Sequence, residues 1–203
     1  TCALPISYLA YLSKELGLRP LAVHFDYGWN SEIAVDNIHS AVNKLGLELF
    51  TDVMDWDEFK DLLRSYFKAG VLDLDVPADH MIFGSLFKIA RKFKVKYMLS
   101  GSNVMTEFVL PPSWNYSKFD WVNIRNIHRR FGSMPLRKLP RLGYWDVLRY
   151  QYIHSIETVH LLNYVDYHKT EVMHFLMDRL GWRDYGGKHH ESIFTRFYQG
   201  YVL

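Results

Sequence analysis

Apolar positions alternate between helical and strand spacing over the first hundred residues of the chain. The helical stripes end at glycines, namely Gly17, Gly46 and Gly70, and the apolar runs between them have the length of strands. Ser31 is suited to cap the second helix, and Pro77 suits the first turn of a later one. The pattern predicts helices over 7–16, 31–45, 56–67 and 77–93, and strands over 21–25, 47–54 and 96–99.

This alternation of strands and helices favours right-handed crossovers and a parallel sheet. We therefore predict an α/β fold in which a parallel sheet carries helices on both faces. After Pro111-Pro112 the pattern changes to aromatic-rich helices over 120–131, 145–152, 168–180 and 191–201, with one more strand near 155–159. We predict an α/β core over residues 1–110 and a helical, substrate-side region over 111–203 packed on the same core.

Composition and charge limit the partners and the cellular location that we expect for this protein. With 24 basic and 22 acidic residues, the charge is too balanced for a protein whose main partner is nucleic acid. No apolar run approaches the roughly 20 residues that span a bilayer, so we expect a cytoplasmic protein without membrane insertion.

The single Cys2 excludes an internal disulfide. The 16% aromatic content predicts either a core of large side chains or walls for a sugar or nucleobase ring.

Two loops follow predicted strands, where open parallel sheets bind ligands. In the first loop, over 24–30, Asp26 is either a cap or a ligand for a hydroxyl or a metal. In the second, over 100–107, Ser100-Gly101-Ser102 fits a plain tight turn or a close approach of the backbone to a nucleotide. Asn103 and Glu107 of this loop suit either a helix cap or contacts with a hydroxylated substrate.

Two further polar clusters interrupt apolar surroundings. Asp79-His80 lies in the first turn of the Pro77 helix, where a histidine is either a satisfied structural residue or a catalyst. The segment 186–192 precedes the last helix and ends in Ser192, which suits a helix cap. Its Lys188, together with Arg196, would favour a phosphate or carboxylate. A solvated start to that helix explains the same residues.

Taken together and in order, these segments resemble the bacterial N-acetyl sugar amidotransferases. The resemblance spans residues 7–203 and is carried by the following segments: Ser7-Tyr-Leu-Ala10, Val23-His-Phe-Asp-Tyr-Gly-Trp-Asn-Ser-Glu-Ile33, Pro77-Ala-Asp-His-Met-Ile82, Ser100-Gly-Ser-Asn103 with Thr106-Glu107, and Gly186-Gly-Lys-His-His-Glu-Ser192 with Thr195-Arg-Phe197. It implies an ATP-pyrophosphatase fold of the adenine-nucleotide α-hydrolase type.

The resemblance also implies a reaction. ATP would adenylylate the acetamido group of a sugar, which is expected to be nucleotide-linked, and ammonia would displace AMP to leave an acetamidino group. The ammonia would come from a glutaminase partner, Mg²⁺ would accompany the triphosphate, and the product would serve surface polysaccharide such as the O-antigen of lipopolysaccharide, or flagellar glycan.

The resemblance assigns roles residue by residue. The positions implied to bind the nucleotide are Ser7, His24, Phe25, Asp26, Ser100, Gly101 and Asn103. The positions implied to face substrate or phosphate are Asp79, His80, Glu107, Lys188, His189, Glu191 and Arg196.

The first six residues depart from the family pattern. Ser7 matches the last serine of a Ser-Gly-Gly-X-Asp-Ser-Ser loop that binds pyrophosphate, yet Thr1–Ile6 contain neither Gly nor Asp. We expect that both ends are cut, that Ala3–Ile6 fill part of the first-strand position, and that the chain as written binds ATP weakly without turnover. The alternatives are an ATP-pyrophosphatase with another acceptor, such as a tRNA-modifying enzyme, and a nucleotide-binding module without catalysis.

Overall fold

The computed structural model describes residues 3–102, 116–187 and 190–201, which form a mixed α/β structure. Its helices are α1 (Leu4–Glu15), α2 (Glu32–Leu45), α3 (Trp56–Ala69), α4 (Val76–Lys92), α5 (Trp121–Phe131), α6 (Tyr144–Leu148), α7 (Lys169–Leu180) and α8 (Ile193–Tyr201). Its strands are β1 (Leu21–Asp26), β2 (Glu48–Val53), β3 (Tyr97–Leu99) and β4 (Glu157–Val159). A π-helical turn follows α6 over Arg149–Ile153, and a 3-10 turn spans Leu161–Tyr164.

The sheets are smaller than the sequence predicts. The strands form two parallel pairs, β1 with β2 and β3 with β4, and a continuous parallel sheet with helices on both faces is not shown. None of the described helices is both long and apolar enough to cross a membrane.

Helix ends follow the local chemistry of the sequence. The Ser31 Oγ accepts a hydrogen bond from the backbone N–H of Ala34, which satisfies one of the donors left open at the start of α2. Gly46 and Gly70 end α2 and α3 in the left-handed conformation, which only glycine adopts without steric cost. These predicted helix boundaries are confirmed.

The prediction of a strand at residues 3–6 is wrong. α1 begins at Leu4, with Ala3 as its N-cap residue and Pro5 in its first turn. Proline lacks the N–H that a strand ladder needs, and its fixed φ suits a first helical turn. The same residue that would weaken a strand therefore starts a helix.

The chain divides into two compact units. Unit 1 comprises Thr1–Asp52, Leu99–Phe108 and Thr158–Leu203, and unit 2 comprises Val53–Met98 and Val109–Glu157. The core of unit 1 joins α1, α2 and α7 through buried apolar side chains, namely Leu4, Ala41, Val172, Leu176, Leu180 and Trp182. The sequence-based boundary at residue 110 stays a prediction.

Unit 2 has its own core. Its buried apolar cluster consists of Phe87, Ala90, Leu142, Tyr150 and Ile156, in which the rings of Phe87 and Tyr150 stack with centroids 5.0 Å apart. Two buried carboxylates of α3 also organise this unit. Glu58 accepts hydrogen bonds from the backbone N–H groups of Arg137, Lys138 and Leu139, so the chain between α5 and α6 is fixed to α3.

Candidate functional site

The end of β1 forms a tight turn in unit 1. The Asp26 carboxylate accepts a hydrogen bond of 3.1 Å from the backbone N–H of Gly28, which has φ +79°. An aspartate side chain that bonds the backbone two residues on is typical of a turn. Phe25 is buried, and its carbonyl accepts a hydrogen bond from the side chain of Asn30. These contacts fix the backbone that follows the strand.

His24 on β1 has a buried ring nitrogen. Its Nδ1 has no hydrogen-bond partner among the described residues. Burial lowers the pKa of His24, while the nearby Asp26 charge acts in the opposite direction. The imidazole is therefore neutral at pH 7, with one nitrogen that accepts and one that donates. A buried polar atom without a partner is costly, so this nitrogen is a candidate contact for a ligand group or a water molecule.

The segment before α8 lies against the turn after β1. Asn30 and Ser192 form an antiparallel bridge, the backbone N–H of Ser31 donates to the carbonyl of Glu191 at 2.9 Å, and that of Ile193 donates to Trp29. Glu191 and Ser192 are buried. Unit 1 thus brings two segments together that are about 160 residues apart in sequence, both of which the resemblance assigns to the site.

The remaining residues of that cluster differ in their placement. Arg196 is exposed on α8, and its backbone N–H donates to the carbonyl of Ser192. Lys188 and His189 lie outside the described residues. The hydroxyl of Ser192 accepts a hydrogen bond from the backbone N–H of Thr195, which confirms the predicted cap of α8.

The loop after β3 lies against the first turn of α1. A Cβ built on Gly101 would be 3.0 Å from both Cα and N of Ile6, so only a glycine fits without displacement. Ser7, the next residue, is buried and donates its hydroxyl to the Ala3 carbonyl at 3.2 Å. Two segments that the resemblance assigns to the nucleotide site are therefore adjacent in unit 1.

His160 holds this loop from the end of β4. Its Nδ1 is 2.9 Å from the Ser102 Oγ, which is in turn 2.7 Å from the Ser100 Oγ, and the backbone N–H of Ser100 donates to Val159. No local pattern points to His160, because its partner is 58 residues away in the chain. Asn103 and Glu107 lie outside the described residues.

Asp79 and His80 belong to unit 2. Asp79 is 3.4 Å from the Lys118 ammonium, which also pairs with Asp73 at 2.7 Å. His80 is buried, its Nδ1 donates to the Lys118 carbonyl at 2.6 Å, and its ring stacks on Trp121. Burial lowers the pKa of His80, although the carbonyl contact opposes that effect. These contacts suit a structural histidine, although Nε2 of His80, like Nδ1 of His24, is buried without a hydrogen-bond partner among the described residues. The catalytic assignment stays a prediction.

The acidic and histidine side chains of the described residues limit how Mg²⁺ would be bound. In the described ranges, no three His, Cys, Asp or Glu side chains are grouped so that they could enclose a metal ion. Mg²⁺ is commonly bound by one or two carboxylates together with substrate phosphates and water, so a full protein cage is not required. Asp26 is the carboxylate at the end of β1 that fits such a role.

Unit 1 therefore brings the predicted residues together in two groups. In the first, the turn that follows His24 and Asp26 lies against Glu191 and Ser192. In the second, Gly101 lies against Ile6, beside Ser7. Together they offer serine hydroxyls, a neutral imidazole and the Asp26 carboxylate, which are hydrogen-bonding groups that can bind a sugar or a nucleobase. Comparisons with family models and with curated proteins found no match to this chain.

Proposed function

We propose that this chain takes part in ATP-dependent amidotransfer, in which a sugar acetamido group is converted to an acetamidino group. The proposal rests on the sequence resemblance and on one structural observation that supports it. That observation is the close approach of Gly101 to Ile6, beside Ser7. It makes the loop after β3 and the start of α1 neighbours, so that both segments can contribute to one nucleotide site.

The reaction needs an activated amide oxygen. The acetamido oxygen attacks the α-phosphorus of ATP and pyrophosphate leaves. Ammonia then adds to the resulting imidate carbon, AMP departs with the original oxygen, and one ammonia proton passes to solvent. An amide oxygen leaves poorly by itself, whereas AMP leaves readily, so adenylylation supplies the driving force for the exchange.

In this scheme His24 contributes to the binding of the nucleotide. Its neutral ring and its buried Nδ1 provide a hydrogen-bonding group beside the strand that the resemblance assigns to adenosine. Backbone groups around Ser100 and Gly101 would contact the ribose and phosphate. In this proposal the two strand pairs belong to a parallel-sheet core, ammonia comes from a glutaminase partner, and the reaction takes place in the cytoplasm.

Acceptor-dependent AMP release tests the proposal. The chain is incubated with ATP, Mg²⁺, ammonium and a panel of nucleotide-linked acetamido sugars, and the sugar is analysed for the mass change that accompanies replacement of oxygen by NH. Since Thr1–Ile6 contain no Gly or Asp, we expect little turnover from the chain as written. A variant in which a strand and Ser-Gly-Gly-X-Asp-Ser replace these six residues directly before Ser7 is expected to release AMP only with the correct sugar.

The alternatives give different results in the same assay. A tRNA-modifying enzyme would release AMP with tRNA and not with any acetamido sugar. A nucleotide-binding module would bind AMP and ATP but remain without turnover after the loop is rebuilt. Either result would overturn the proposed amidotransfer.

A further inference from the structure

Unit 2 contains an open pocket that the proposed function does not use. It has a volume of about 480 Å³, within the range of small-molecule sites. One wall is α5, and the opposite side is formed by the chain that follows it, from Gly132 to Leu136, together with Arg141. No aspartate or glutamate is among the residues that line it.

The helical wall places two arginines one turn apart. Arg125 and Arg129 both line the pocket at i and i+4 spacing, at which side chains are neighbours on a helix surface. The positions three and four residues away from either arginine hold no carboxylate, because α5 has the sequence Trp-Val-Asn-Ile-Arg-Asn-Ile-His-Arg-Arg-Phe. Like charges at this spacing repel each other, so a bound anion would relieve that repulsion.

Arg141 supplies a third guanidinium. Its Cζ lies 5.8 Å from the ring centroid of Trp121, which also lines the pocket. Cation–π contact holds the flexible arginine over the indole, so that less side-chain freedom is lost when a ligand binds. Among the described residues, none of the three pocket arginines forms an ion pair.

A buried carboxylate next to the pocket forms its hydrogen bonds with other groups. Asp61 of α3 accepts hydrogen bonds from the backbone N–H and hydroxyl of Ser133, from the backbone N–H of Met134, and from His128. The same bonds fix the chain that forms the far wall of the pocket. Asp61 is therefore held by these donors, and it is not among the residues that line the pocket with the three arginines.

We propose that this pocket binds a small molecule that carries a diphosphate group. Planar guanidinium groups bind phosphate oxygens in pairs, and three of them suit a ligand with more than one negative charge. The volume exceeds what a single phosphate fills, which leaves room for a sugar or other polar group. The proposal is independent of the amidotransfer proposal, because every lining residue belongs to unit 2.

Calorimetric titration of the full chain with inorganic pyrophosphate tests the site. The variant Arg129→Gln is compared with Arg130→Gln, which alters the adjacent exposed arginine of α5 that does not line the pocket. Loss of a charge-assisted hydrogen bond should weaken binding about tenfold or more in Arg129→Gln. Arg130→Gln should bind like the unaltered chain. Equal affinities of these two variants would overturn the proposal.

Two further arms identify the site and the ligand. Gly101→Val, which disturbs unit 1, is expected to leave the pyrophosphate affinity of the Arg pocket, the pocket lined by Arg125, Arg129 and Arg141, unchanged. If this variant loses as much affinity as Arg129→Gln, the binding belongs to unit 1 and the proposal is overturned. Titration with citrate separates phosphate from carboxylate recognition, and binding of citrate as tight as that of pyrophosphate would contradict a diphosphate site. Melting curves check that each variant is folded, and pyrophosphate should raise the melting temperature of the unaltered chain.

Discussion

The Asp61 carboxylate on α3 lies 2.9 Å from Nε2 of His128 on α5, a residue 67 positions later in the chain. The carboxylate is almost fully buried and accepts every hydrogen bond that reaches it. Burial alone would raise the pKa of Asp61, but the bonds from Ser133, His128 and Met134 outweigh it and lower the pKa to about 2. This contact ties two helices of unit 2 to the connection between α5 and α6.

Asp61 makes the stability of the protein depend on pH in the acid range. Because the folded-state pKa lies below the ordinary value of 3.8, its contribution is present in full above pH 4 and is lost as the pH falls through about 2. The shift corresponds to about 2 kcal/mol. Urea unfolding between pH 6 and pH 2 should show this loss in the unaltered chain and a flatter profile in Asp61→Asn. Parallel profiles would contradict it.

Glu58→Gln should lower the free energy of unfolding. The amide group would place a donor against backbone N–H groups of Arg137, Lys138 and Leu139, leaving buried donors unsatisfied at a cost of about 1–3 kcal/mol. Asp57→Asn is the matched control, since Asp57 is the preceding residue of α3 and its side chain is 75% exposed. Urea titration at neutral pH measures both, and equal effects would contradict the assigned role of Glu58.

Gly101→Val should disturb the contact between the loop after β3 and α1. The new side chain would collide with the backbone of Ile6, and overpacking of this kind costs about 1–3 kcal/mol. Gly200→Ala is the control in the same unit, because nothing lies within 4 Å of a Cβ at that position. Thermal melting reports the stability change, and AMP titration reports whether the contact supports a nucleotide site. A Gly101→Val variant with unchanged AMP affinity would argue against the proposed site.

His24→Ala is expected to weaken AMP binding about tenfold, which is the typical worth of one hydrogen bond to a ligand. His39→Ala is the control, since His39 is exposed on α2. AMP is the suitable probe because it lacks the β- and γ-phosphates, so its binding does not depend on a pyrophosphate loop. If both variants bind AMP equally, the buried Nδ1 of His24 does not contact the nucleotide.

Local sequence predicts local structure well in this chain. The caps at Ser31 and Ser192 and the left-handed glycines at Gly46 and Gly70 are correct because each depends on atoms within a few residues. The strand expected at residues 3–6 failed where the effect of Pro5 on a helix start outweighed the apolar character of the segment. How the strands pair depends on contacts far apart in sequence, and the periodicity does not contain that information.

Only part of the candidate site and of the buried polar contacts could be predicted from the sequence. Glu191 lies next to the turn at Ser31, and the resemblance assigns both segments to one site, which stays a prediction. Glu58 and Asp61 gave no signal, because their main partners are backbone N–H groups more than 70 residues away, and almost every residue carries such a group. The Arg pocket could not be predicted for the same reason, since Arg141 comes close to α5 only in the folded chain.

The interleaving of the two units has a consequence for biosynthesis. Unit 2 ends at Glu157, whereas the core of unit 1 needs Leu176 to cover Leu4. At ribosomal rates, the apolar face of α1 waits roughly 10–30 s for α7 to emerge. The nascent chain therefore completes unit 2 first, and the apolar face of α1 stays without this cover until α7 has been synthesised.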